Sequence, residues 1–312
     1  MVKKKLSICI PTYNRKEKVI HQIERIIQSG ILKSGNEVEL VVSDNCSDDN
    51  TYDSLFSLFH DQDGISLYHQ NNNLGLVGNL YFLFDIAKGE YIWFLSDDDP
   101  IDPRSIGNLL SIIIDDPRSF YLLNFVTDDN SELFWRESND YLSLFNDKTW
   151  GGFGLLSTQV LKKESFKDFY LFSKDRYNLC QPVAVSLYGL VYLNGIICYD
   201  IVAITHHIGD YSWKNKTLQV GSVYLYDSIK VLEIYGSDKK YQEIITALKK
   251  MHGFCTCSFI HIIRNKDFKY AQRLFKDNLL GYILLRAICY IIKSKFSRLI
   301  KKTYAQKVSI IL

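Results

Sequence analysis

The sequence predicts an α/β fold: a mostly parallel sheet with helices on both faces, followed by a helical C-terminal region. Three observations predict it. Short apolar runs alternate with amphipathic helical stretches through the first two thirds of the chain. Polar residues collect directly after the first, second and fourth apolar runs. From Leu218 onward the pattern is almost wholly helical. Strands and helices in this rhythm make a sheet whose ligands bind beyond the carboxyl ends of the strands.

The elements follow in order. Leu6 to Ile10 reads as a buried strand closed by Pro11-Thr12-Tyr13-Asn14. Lys16 to Ser29 carries Val19, Ile20, Ile23, Ile26 and Ile27 at helical spacing. Val38 to Ser43 is a second strand, running into Asp44-Asn45-Cys46-Ser47-Asp48-Asp49, and Thr51 to His60 is a helix. Ile65 to His69 is a third strand, Asn72-Asn73-Leu74-Gly75 a turn, and Val77 to Ala87 a helix ended by Gly89. Tyr91 to Leu95 is a fourth strand, Ser105 to Ile114 a helix, and Phe120 to Val126 a fifth strand. Residues 127 to 150 are polar and read as a connector across the mouth of the sheet. Trp150-Gly151-Gly152-Phe153-Gly154 would let backbone approach a ligand while rings stack on a sugar; a tight turn between core segments explains it as well. Val183 to Leu193 is a helix and Ile196 to Val202 a strand. Helices then cover Val220 to Tyr235, Tyr241 to Ile263, Phe268 to Asn278 and a last segment from Leu280. The domain expectation is 1–215 for the sheet domain (halves 1–126 and 127–215) and 216–312 for the helical region.

Composition narrows the function classes. In 312 residues, 47% hydrophobic and 23% charged content is globular, and a formal net charge of +2 carries no nucleic-acid signature. Seven scattered Cys, none in zinc-site spacing, read as reduced thiols of a cytosolic protein. The start Met1-Val2-Lys3-Lys4-Lys5 enters a strand at once, so no signal peptide is expected, and no apolar run reaches the about 20 residues of a transmembrane helix. There is no Gly between Met1 and Gly30, hence neither a dinucleotide fingerprint nor a P-loop. Any diphosphate bound here needs its charge met another way.

Ser96-Asp97-Asp98-Asp99 supplies one. Three carboxylates at the end of a buried strand are tolerable around a hard divalent cation, Mg²⁺ or Mn²⁺. The alternative is a solvated acidic turn with an N-capping Asp. Its place at the same sheet end as Tyr13 and Asp44 favours the cation.

These motifs resemble the family-2 glycosyltransferases with the Rossmann-like GT-A fold, and within them the abequosyltransferase-type enzymes of bacterial surface polysaccharides. The matching stretches are Ser7 to Arg15, Val42 to Asp48, Asn73-Leu74-Gly75 with Asn79, and Ala87 to Asp99. The resemblance implies a nucleotide site of Pro11, Tyr13, Asn14, Arg15, Asp44, Asn79 and Asp97, with Tyr13 stacking on the base and Asp44 bonding to it. It implies a metal held by Asp98 with Asp99 close by, and His207 (or His206) as a further ligand. Trp150, Gly151 and Gly152 would meet the acceptor. The expected activity is transfer of a sugar from a nucleoside-diphosphate donor to a glycan carried on undecaprenyl or a similar lipid, inverting, with a carboxylate base. Many members carry Glu-Asp before the helix that starts near Val183. This chain has Cys180-Gln181-Pro182 there, so Asp175 is the candidate base and Asp128 or Asp129 the fallback. A non-catalytic nucleotide-sugar or glycan binder is the other reading.

Residues 281 to 312 hold Arg286, Lys293, Lys295, Arg298, Lys301, Lys302 and Lys307, no acid, and an apolar helical face. Such a helix is expected to bind an anionic membrane surface, placing the protein in the cytoplasm, peripheral at the inner face of the plasma membrane.

Overall fold

The structure, a computed structural model, describes residues 4–33, 37–127, 133–135, 150–173, 181–206, 225–235, 239–250, 252–277, 279–281 and 283–284. Seven strands form one sheet: β1 (Leu6–Thr12), β2 (Val38–Asp44), β3 (Ile65–His69), β4 (Tyr91–Phe94), β5 (Phe120–Thr127), β6 (Gln159–Lys162) and β7 (Ile196–His206). Their order is β3-β2-β1-β4-β6-β5-β7. The first four run parallel, and β5 is parallel to β7. Only β6, inserted between β4 and β5, is antiparallel to its neighbours.

Four helices connect the first five strands: α1 (Lys16–Gln28), α2 (Thr51–Phe59), α3 (Gly75–Ile86) and α4 (Pro103–Asp115). Helix α1 packs on α2 and α4. Helix α3 meets α5 (Lys163–Ser173), where Phe84 stacks on Tyr170 with ring centroids 4.0 Å apart. Strands β1, β2 and β4 are buried along their whole length, as apolar strands covered on both faces must be. Trp93 lies at the centre of β4, fully buried, its Nε1 donating to the carbonyl of Ser157 at 2.8 Å.

The antiparallel β6 and the helix after it were not expected from periodicity. Four residues carry too little pattern, and β6 takes its conformation from hydrogen bonding to strands on both sides. The expected helix 183–193 divides into α6 (Gln181–Leu187) and a π-helical turn, Tyr188–Tyr192. Its Gly189 lies where a Cβ would meet the Phe120 ring at 2.3 Å. Gly89 is likewise no helix terminator: α3 ends at Ile86, and a Cβ on Gly89 would sit 2.5 Å from the Ser7 nitrogen of β1. The C-terminal region adds α7 (Leu225–Tyr235), α8 (Lys239–Lys250), α9 (His252–Asn265) and α10 (Phe268–Lys276). No helix among the described residues is long and apolar enough to cross a membrane. The basic segment 285–312 lies outside the described residues.

Candidate functional site

Strand order reverses between β1 and β4, and the crevice beyond their carboxyl ends is where an open α/β sheet binds ligands. The acidic turn after β4 fills it. Thr12, the last residue of β1, donates its hydroxyl to Asp97 Oδ2 at 2.7 Å. Arg15, just before α1, places Nη1 2.7 Å from Asp97 Oδ1 and 2.6 Å from Asp98 Oδ2. One guanidinium thus bridges two carboxylates that would otherwise repel. Ser96 Oγ also donates to Asp98 Oδ1. Burial pushes the Asp97 carboxyl up to about 6 although Arg15 and Thr12 pull it down, and the neighbouring Asp98 adds to the rise.

Asp99 turns the other way. It is buried, accepts from Ser157 Oγ at 2.7 Å, and has His206 Nδ1 2.8 Å from its Oδ1. Expected beside Asp98 at a metal, it instead fastens the acidic turn to the β6 side of the sheet and to the end of β7. Two residues that the sequence reading passed over complete this fastening. Gln22, buried in α1, donates to the carbonyls of Asp99 at 2.7 Å and Ser96 at 3.1 Å. Ser157 accepts from the Ser96 backbone N–H at 2.9 Å. Gln22 left a signal: it lies on the buried stripe of α1 with Val19, Ile23 and Ile26, where a polar residue needs a partner.

On the other side of the crevice, Tyr13 follows β1 with 43% of its surface exposed. Asn14, at φ 53°, donates its backbone N–H to Ser47 Oγ at 2.8 Å and accepts from the Asp48 N–H at 2.9 Å. These bonds join the β1 and β2 loops and leave the Tyr13 ring open above them. Asn45 adds the third loop, donating to Asn73 Oδ1 at 2.9 Å and accepting from the Leu74 N–H at 2.9 Å. Pro11 pairs across from Ser43 inside the sheet and is buried.

Two expected nucleotide contacts are placed differently. Asn79 is buried, accepting from Ser43 Oγ at 2.6 Å and donating to the Ser43 carbonyl at 3.0 Å. It ties α3 to β2 beneath the crevice and has no free face for a nucleotide. Asp44 is also buried. Ser47 Oγ donates to its Oδ1, while its Oδ2 takes the Ser47 N–H at 3.1 Å and lies 2.8 Å from His69 Nδ1. Ser47 and His69 thus already occupy the Asp44 carboxylate.

The sequence profile described as "Glycosyl transferase family 2" matches residues 7–175, more than half of the chain. The chain belongs to glycosyl transferase family 2. Among curated relatives it is 28% identical over 179 residues to the abequosyltransferase RfbV of Salmonella typhimurium, covering 51% of this chain and 53% of that one. It is 34% identical over 107 residues to the GalNAc(5)-diNAcBac-PP-undecaprenol beta-1,3-glucosyltransferase of Campylobacter jejuni, covering 34% and 33%. The chain therefore spans about half or less of the length of the curated relatives it matches. Among solved structures, S. aureus TarS 1-349 in complex with UDP-GlcNAc superposes with a TM-score of 0.60 at 14% identity, over 91% of this chain and 81% of that one. The mannosyltransferase PcManGT from Pyrobaculum calidifontis, in complex with GDP-Man and Mn²⁺, gives 0.59 at 12% identity, over 92% and 87%. At these identities the likeness establishes the GT-A fold.

Within this family-2 domain, Gly152 also differs from expectation. A Cβ there would lie 2.5 Å from the Phe134 ring and 2.8 Å from Trp135, so the close approach that requires glycine is to the chain's own aromatics, not to an acceptor. Trp150 and Gly151 open the short turn Trp150–Gly154, but their side-chain surroundings fall outside the described residues, as do Asp175, His207, Asp128 and Asp129 entirely.

A divalent cation can be tested against the donor set. Among the described residues, no three His, Cys, Asp or Glu side chains gather as a ready-made cage. Magnesium, however, commonly takes one or two carboxylates and fills its remaining positions with phosphate oxygens and water. Asp98 fits that habit: its side chain keeps 16% exposure against 4% for Asp97, with Arg15 and Ser96 as its present partners. The donor set suits a cation shared with a bound diphosphate.

Proposed function

We propose that the protein is a metal-dependent, inverting glycosyltransferase that moves a sugar from a nucleoside-diphosphate donor to a lipid-linked glycan in bacterial surface-polysaccharide synthesis. The observation that carries the reading is the convergence of Tyr13, Arg15, Asp97 and Asp98 at the switch point between β1 and β4. Each has work to do for such a donor. The open Tyr13 ring offers a stacking face for the base. Asp97 is buried, with Thr12 and Arg15 on its two oxygens, and would accept from a ribose hydroxyl as Arg15 turns toward a phosphate. Asp98 would hold the divalent cation together with diphosphate oxygens, and the bound cation would neutralise charge that builds on the leaving group. Arg15 adds a second positive charge at the same place, so reorienting from Asp98 toward a phosphate would conserve its pairing.

In the transfer, the acceptor hydroxyl oxygen forms a bond to the anomeric carbon from the face opposite the diphosphate. The bond from that carbon to the phosphate oxygen breaks, and its electron pair leaves with the nucleoside diphosphate. The hydroxyl proton passes to a carboxylate; Asp175 is our candidate. The relatives support the substrate classes: an abequosyltransferase, and a glucosyltransferase named for an acceptor linked through diphosphate to undecaprenol. We place the protein at the inner face of the plasma membrane, held through its basic C-terminal segment.

The test incubates the protein with a panel of nucleotide sugars and Mn²⁺ and scores release of nucleoside diphosphate. Release that requires metal and disappears in Asp98→Ala supports transfer. Donor binding without release, even with lipid-linked glycan added, makes the protein a nucleotide-sugar binder and overturns the proposal.

A further inference from the structure

The hairpin of α9 and α10 exposes an apolar surface. Phe268 and Phe275 are 75% and 69% exposed, the two most exposed large apolar side chains among the described residues, and Ile263 at the end of α9 is 65% exposed. At about 100° per residue, Phe268 and Phe275 share one stripe of α10. Tyr270 and Leu274, on the opposite stripe, are buried against the protein. Lys269 and Lys276 each lie one step round from a phenylalanine, and both are exposed. Arg264 and Lys266 add exposed charge at the turn between the helices.

The acids nearby are already engaged within the protein. Asp267 caps α10 through the Tyr270 N–H at 3.0 Å and lies 3.1 Å from His261 Nε2. Asp277 accepts from the Tyr226 hydroxyl at 2.6 Å and pairs with Lys230 at 3.1 Å. The outward face is therefore aromatic at its centre and cationic at its edge. The chain beyond it, residues 281 to 312, continues with seven cations and no acid.

We propose that the α9–α10 hairpin docks on an anionic lipid surface, with Phe268 and Phe275 entering the headgroup layer and Arg264, Lys266, Lys269 and Lys276 meeting lipid phosphates. An aromatic stripe flanked by lysines matches the interface, where apolar groups find acyl chains while ammonium groups reach phosphate. One weak signal anchors poorly and two anchor stably, so the hairpin and the basic C-terminal segment act together. This deepens the membrane placement proposed above, but it is tested without any sugar donor.

The test is flotation of the full chain with phosphatidylcholine vesicles, with and without about a third phosphatidylglycerol. Wild type is expected to float with the anionic vesicles alone. The double variant Phe268→Ser, Phe275→Ser should lose association by about tenfold or more, given the apolar area withdrawn from the interface. Its circular dichroism should not change, because both rings are on the surface. A full-length variant with Lys293, Lys295, Lys301 and Lys302 changed to Gln shows what the C-terminal segment contributes. Flotation of the double variant equal to wild type overturns the proposal whatever the Gln variant does. So does a wild type that does not float, including one that instead self-associates through this face in sedimentation. Nucleoside-diphosphate binding in solution, measured on the same proteins, separates failure of the docking surface from failure of the donor reading.

Discussion

Replacing Asp97 with Asn should remove a pH dependence of stability that this one carboxylate imposes. Its pKa rises from an ordinary 3.8 to about 6, with burial as the largest cause. At about 1.4 kcal/mol per tenfold, that gap is worth about 3 kcal/mol. The folded chain holds this proton more tightly than the unfolded chain does. The contribution of Asp97 is therefore most favourable below about pH 4, declines as pH rises through about 4 to 6, and is constant above that window. An amide of the same shape does not titrate. Asn also weakens the tie to Arg15, which keeps Asp98; the ionic part of that tie is already contained in the net shift of Asp97. Urea unfolding of wild type and Asp97→Asn in chelator, from about pH 4 to about pH 7, should show the variant gaining on wild type by about 2 kcal/mol, most of the full gap. Carboxylates that do not neighbour Asp97 cancel in this difference; Asp98, which shares Arg15 with it, does not. A difference that stays flat across the window would refute the assignment of a strained, buried carboxylate at the crevice. The same variant should bind donor nucleotide more weakly, the behaviour expected where stability is given up for a site.

Asn79→Ala should destabilise by about 2 to 3 kcal/mol in urea, since it leaves the buried Ser43 hydroxyl without its acceptor. Nucleotide affinity of the folded fraction should be nearly unchanged; a selective loss of affinity at wild-type stability would return Asn79 to the site. Tyr13→Ala should behave inversely, weakening nucleotide binding by about tenfold with a stability change under about 1 kcal/mol, because its exposed ring has little packing to lose. Calorimetry and thermal melts on the same samples distinguish the two.

The carboxyl-end location of the site was legible because it follows from topology. Strands β1, β2 and β4 each end in polar residues, and a parallel sheet puts those ends together. The orientation of individual side chains was not legible. Three consecutive aspartates look alike in sequence, yet Asp97 and Asp98 face Arg15 while Asp99 turns to Ser157 and His206, partners 58 and 107 residues away. Glycines were ambiguous for the same reason. Gly89 reads as a helix stop and Gly152 as room for a ligand, but each makes space for a distant part of the chain, the β1 backbone and the Phe134 and Trp135 rings. Asn79 belongs to a matching motif and still turned out to be internal, since a motif preserves architecture as readily as contact.

The proposed function rests on Asp98 and its neighbours forming a metal-dependent site for a nucleoside diphosphate. Calorimetric titration of uridine, guanosine, cytidine and thymidine diphosphates tests it most directly, with Mn²⁺ or with chelator, into wild type and Asp98→Ala. At least one nucleotide is expected to bind wild type with Mn²⁺, and chelator and Asp98→Ala are each expected to abolish the binding while the fold persists. Binding of equal strength in chelator and in Asp98→Ala, or no binding by any of the four, would contradict it.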